Sequence, residues 1–152
     1  MRQVFLLVLG GSLLMLTTLA AEPAFRTEFV GGTLPGLELK SITQLDLTDG
    51  GALLLHCGVL QFRIDYAKIN SLEYGQNVSR RVAAAVFISP VLLLSKSRKH
   101  FVTVGYEDAE GKQQALVFRV DKGDIRSVLA SLEARTGRRV EYQDDEARKG
   151  NR

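Results

Sequence analysis

Three side chains in this 152-residue chain have the chemistry for nucleophilic catalysis or metal binding: His56, Cys57 and His100. His56 and Cys57 are adjacent, so on a strand they point to opposite faces and cannot act on each other as base and nucleophile. Cys57 with His100 across a sheet is the remaining pairing, and it would suit a small Cys-dependent hydrolase or redox protein. The competing reading is a buried structural cysteine. The two histidines lie too far apart in sequence to give a zinc spacing. Asp144-Asp145-Glu146 could attract a cation, but in a charged terminal stretch it reads as a solvated run. No glycine pair opens a phosphate-binding loop of the GK[ST] or GxGxxG type. The expectation is a protein that is not an enzyme, with no catalytic residue, cofactor or metal site.

The charge pattern is more informative. No acidic residue lies between Glu73 and Glu107, whereas Arg80, Arg81, Lys96, Arg98 and Lys99 all do. With a formal net charge of +3 overall, the rest of the chain is left at about −2. These five are the candidate contacts for an anionic lipid surface or a protein partner, and a solvated rim is the alternative. Between them runs "VAAAVFISPVLLL", residues 82–94. A helix of that length reaches roughly 20 Å, short of the ~30 Å hydrocarbon core, and Pro90 interrupts it. Three arrangements remain open for it: two apolar strand pieces buried after a bend at Ser89-Pro90, a helical or irregular insertion docked on the domain, or a dip into a bilayer surface. Nucleic acid would suit the charge, but Phe101 is the one aromatic interleaved with it, and the export inferred below argues against such a partner. No small-molecule substrate is evident.

Residues 1–21 pattern as a signal peptide. Arg2 precedes an apolar run from Val4 to Leu19, and Thr18 and Ala20 supply small residues before a cleavage point after Ala20 or Ala21. An uncleaved membrane anchor is the alternative. The expected location is periplasmic or extracellular. A single cysteine gives no internal disulfide, so the domain must be held by its core. Asn77-Val78-Ser79 is a formal glycosylation acceptor, relevant only in a eukaryotic host.

Behind these residues stand short strands punctuated by turns. "RTEFVG", "TQLDLT", "ALLLHC", "VLQFRIDY", "INSLEYG", "FVTVGY" and "QALVFRV" are strand candidates, with "DGG" and "EDAEGK" as hairpin turns. The period then changes: Ile125, Val128, Leu129 and Leu132 fall on one face of a helix over 122–136, with Asp121 as its N-cap and Gly137 as its stop. Leu45, Leu47, Leu60, Phe62, Ile64, Ile69, Leu72, Val102, Val104, Leu116 and Phe118 complete the expected core with the helix face.

Seven strands followed by one amphipathic helix resembles the bacterial pleckstrin-homology-like domain, over roughly residues 26–140. "IDYAKINSLEYG" is similar to the segment where a strand ends in an aromatic, turns, and leads through an Ile into the next strand. "KSRKHFVTVGYEDAEGKQQALVFRV" is similar to the later hairpin of those domains. The resemblance implies a bent seven-stranded sheet or barrel with a C-terminal helix plugging its open corner. It also implies a binding role at a basic rim, for which an exported protein would meet phosphatidylglycerol or cardiolipin. The apolar segment 82–94 departs from the pattern. The expected organisation is a signal peptide at 1–21, a mainly β binding or scaffolding domain at 25–142, and a charged tail at 143–152.

Overall fold

The computed structural model describes residues 24–76 and 99–143. The expected signal segment, the apolar insertion 82–94, the glycosylation triplet, the Asp144-Asp145-Glu146 run and four of the five candidate contact residues (Arg80, Arg81, Lys96 and Arg98) lie outside the described residues.

All seven expected strands are present: β1 (Phe25–Gly32), β2 (Ile42–Asp46), β3 (Ala52–Cys57), β4 (Leu60–Asp65), β5 (Ile69–Gly75), β6 (His100–Glu107) and β7 (Gln113–Val120). Helix α1 (Ile125–Thr136) follows, then a two-residue β8 (Glu141–Tyr142). They form one sheet in the order β4-β3-β2-β1-β7-β6-β5-β8, which is open rather than a closed barrel, with β4 and β8 at its edges. Its ladders are antiparallel except for β8, which lies parallel to β5. The chain is thus mainly β with one C-terminal helix.

Alternation builds the core. Leu45 and Leu47, Leu53 and Leu55, Val102 and Val104, and Leu116 and Phe118 all turn to the same side of the sheet and are buried. Register breaks at Val30 in β1 and Asn70 in β5 insert an extra residue against the neighbouring strand, which bends the strand and increases its twist. Gly32 is required by packing: a Cβ there would sit 2.9 Å from both the Ala115 carbonyl oxygen and the Phe29 ring. Asp49 tightens the β2–β3 turn by accepting from the backbone N–H groups of Gly51 and Ala52 at 2.7 and 2.9 Å.

Helix α1 sends Ile125, Val128, Leu129 and Leu132 into that same core. It starts later than the sequence suggests. Residues 121–124 form a turn in which the N–H groups of Asp124 and Ile125 donate to the Asp121 carbonyl at 3.0 and 3.1 Å, so the N-cap is Asp124 rather than Asp121. The stop is as expected: Gly137 takes φ = 67° and donates its N–H to the Glu133 carbonyl. Leu60 is a correction to the expected core. It is 41% exposed, because it opens an edge strand beside a hairpin tip, and Phe62 is only half-buried.

Candidate functional site

The strand registers align one inward-facing row across the sheet, from the last residue of β3 to the first of β6. Thr43 pairs with Thr27, Thr27 with Val120, and Val120 with His100. Cys57, one residue beyond the His56–Gln44 pair, extends the row past Thr43. Thr27 and Thr43 are buried, and their hydroxyls bond to each other at 2.8 Å, so the polar atoms of this row are satisfied.

Cys57 and His100 therefore occupy the same row, on strands four places apart in the sheet order. Strands β2, β1 and β7 separate β3 from β6, about 19 Å along the sheet at roughly 4.8 Å per strand spacing. Cys57 is a half-buried thiol at the β3–β4 hairpin. His100 is instead paired with Tyr74: its Nδ1 lies 2.6 Å from the Tyr74 hydroxyl, and the two rings stack with centroids 6.0 Å apart. Burial, assisted by the charge of Lys122, holds the His100 pKa below the ordinary imidazole value. With Nε2 carrying the proton, the Tyr74 hydroxyl donates to Nδ1; with Nδ1 carrying it, Nδ1–H donates to the Tyr74 oxygen. Tyr142 on β8 meets the Tyr74 ring edge-on, with centroids 5.8 Å apart.

One end of the sheet gathers the N-terminal and basic-apolar segments. Strand β1 begins here, so the apolar N-terminal stretch joins the domain at this end. β5 finishes here and β6 starts here, so both ends of the basic-apolar segment, Gln76 and Lys99, are attached to it. The β3–β4 hairpin lies at the other end, because β3 runs parallel to β1; it turns through Gly58, at φ = 57°, and carries Val59 fully exposed beside the partly exposed Leu60. Lys99 is half-buried at the start of β6, and Lys122 is exposed just after β7. Sequence reading singled out Lys99 and the basic run. It missed Val59 and Leu60, whose exposure depends on a tight hairpin at the sheet's end.

A cleft of about 280 Å³ lies between β4 and the β6–β7 turn, with Leu34, Phe62 and Tyr106 among its lining. Most of its charged groups are engaged in the fold: Asp108 accepts from the N–H groups of Glu110 and Lys112 and from the Gln114 side-chain amide, and Arg63 bridges Asp49 and Asp65. Among the described residues no three His, Cys, Asp or Glu side chains gather as a metal-ligand set, and no helix is long and apolar enough to cross a membrane.

A scan against protein-family models and a search of curated proteins return no match.

Proposed function

We propose that this protein is an exported binding module of the pleckstrin-homology-like kind that docks the end of its sheet where β5 stops and β6 begins on an anionic membrane surface. The observation that carries the proposal is convergence. Lys99, Lys122, the start of β1 and both attachment points of the segment bearing Arg80, Arg81, Lys96 and Arg98 lie at one end of one sheet. The strand order and the C-terminal helix packed into the core support the family resemblance.

The magnitudes suit reversible binding. Each basic residue near an anionic surface contributes about 1 kcal/mol, so the five clustered ones would supply roughly 5 kcal/mol. That falls short of stable anchoring and gives a surface that associates and releases. The N-terminal apolar stretch joins the same end, so whether cleaved or retained as an anchor it is compatible with this orientation.

The test is vesicle flotation with phosphatidylcholine alone against mixtures containing phosphatidylglycerol or cardiolipin. Binding restricted to the anionic vesicles supports the proposal, and equal recovery with both compositions, or none with either, refutes it.

A further inference from the structure

Strand β4 is an edge of the sheet, paired with β3 alone in the register Ala52↔Asp65 to Cys57↔Leu60. One residue further, the Tyr66 N–H donates to the Gly51 carbonyl at 2.9 Å, which makes Tyr66 and Gly51 a hydrogen-bonded pair. Such pairs alternate along an antiparallel ladder, so Ile64, Phe62 and Leu60 also turn their main-chain groups to β3. The two-residue hairpin through Gly58 and Val59, closed by Cys57 and Leu60, has the same phase. Gln61, Arg63 and Asp65 therefore point their N–H and C=O groups away from the sheet. All three residues are exposed, and none of these outward groups has a partner among the described residues.

A row of open donors and acceptors at this spacing is a template for one more strand. The cleft beside β4 decides what fits it. Phe62, Arg63, Ile64 and Asp65 all line that cleft. Successive side chains of a strand point to opposite faces, so an opening that meets four in a row runs along the edge itself. The other wall is Tyr106, Glu107, Asp108 and Ala109 of the same chain, so the space is a slot for a single extended segment rather than for the sheet of a second copy. Leu34, Phe62, Ile64 and Tyr106 make part of the slot apolar, which suits apolar side chains at alternate positions of the incoming segment. Arg63 is held by Asp49 and Asp65, Lys68 reaches the Asp108 carbonyl, and the Asp108 carboxylate is taken up by its own turn. Glu107 is left with no ion-pair partner among the described residues, and a basic residue between the apolar ones would supply it.

We propose that β4 is a recognition edge: an extended peptide partner with alternating apolar and basic residues adds to it as a further strand, in the cleft facing the β6–β7 turn. This edge is separate from the membrane face, because the cleft meets β6 at Glu107, the opposite end of that strand from Lys99 and His100.

Amide exchange of the full chain, followed by NMR, reads the edge directly. In the free protein the outward amides of Gln61, Arg63 and Asp65 should exchange at least about 100-fold faster than those of Phe62 and Ile64. Equal protection of the two sets would mean that the edge is already covered, and it overturns the proposal. The probe is an acetylated, amidated seven-residue peptide of alternating valine and lysine, which should bind and protect the three outward amides. The same peptide N-methylated throughout lacks its donors and should bind at least about 10-fold more weakly. Arg63→Pro removes one outward N–H, leaves the ladder to β3 intact, and should weaken the unmethylated peptide likewise. Absence of binding by that peptide, protection confined to residues outside β4, or binding that survives N-methylation overturns the proposal. Should Arg63→Pro fail to fold, the N-methylated peptide decides alone, since it leaves the protein unchanged.

Discussion

The Tyr74 hydroxyl lies 2.6 Å from His100 Nδ1, with the two rings stacked at the end of the sheet where β5 stops and β6 begins. The pair joins the two strands that flank the basic-apolar segment. Burial holds the His100 pKa below its ordinary value, whereas the unfolded chain would take up a proton near pH 6.5. A depressed histidine pKa means that the unfolded state binds more protons below that value. Stability should therefore fall as pH drops from about 6.5 towards the folded-state pKa and level off beneath it. Chemical denaturation between pH 5 and 8 should show this slope in the wild type and a flatter profile in His100→Phe, which keeps an aromatic ring beside Tyr74. Equal slopes would show that His100 titrates as it does in the unfolded chain.

Helix α1 is held through Leu129 and Leu132, both buried in the common core. Replacing either with Ala should cost about 2–5 kcal/mol, the range for emptying a leucine site in a packed core. Urea unfolding measures it, and a loss below about 0.5 kcal/mol at both positions would mean that the helix is peripheral.

Gly137 ends that helix at φ = 67°, in the left-handed region that side chains disfavour. Gly137→Ala should destabilise by about 1–2 kcal/mol. Gly32→Ala has a different cause, contact with the Ala115 carbonyl and the Phe29 ring, and should cost roughly 1–3 kcal/mol. Thermal or urea unfolding of the two single variants gives both values. A neutral result at Gly32 would mean that the β1 bulge relaxes freely.

The strands and the helix were legible because each segment carries its own period: alternation in "TQLDLT" and "VLQFRIDY", and an i, i+3, i+4, i+7 stripe in residues 125–132. Other features were not legible, for identifiable reasons. Phe101 and Val117 sit on the face that alternation assigns to solvent, and no local pattern announces that they are buried. Leu60 fits the apolar period of β4 but falls at the exposed start of an edge strand. In the candidate site, the charges of the 80–99 window could be read directly. The convergence of three separate segments at one end could not, because it arises from strand direction and register.

The hairpin tip tests the docking orientation. Val59 is fully exposed and Leu60 partly so, so Val59→Ser with Leu60→Ser should change stability by less than about 1 kcal/mol. The same pair should leave binding to anionic vesicles unchanged, because the tip lies at the other end of the sheet from the basic segment. Thermal melts and vesicle titrations on one preparation measure both quantities. A loss of affinity of about 10-fold or more would place the tip on the membrane face and contradict this docking orientation.

The most direct measurement is vesicle affinity as a function of salt, for the wild type and for a variant with Arg80, Arg81, Lys96, Arg98 and Lys99 all changed to Gln. Screening shortens from about 10 Å at 0.1 M salt to about 3 Å at 1 M. Wild-type binding to phosphatidylglycerol vesicles should therefore weaken steeply over that range. The variant should bind at the wild type's high-salt level throughout while keeping its folded stability, because exposed charges contribute little to it. Wild-type binding that is insensitive to salt, or a variant that floats as well as the wild type, would contradict the account.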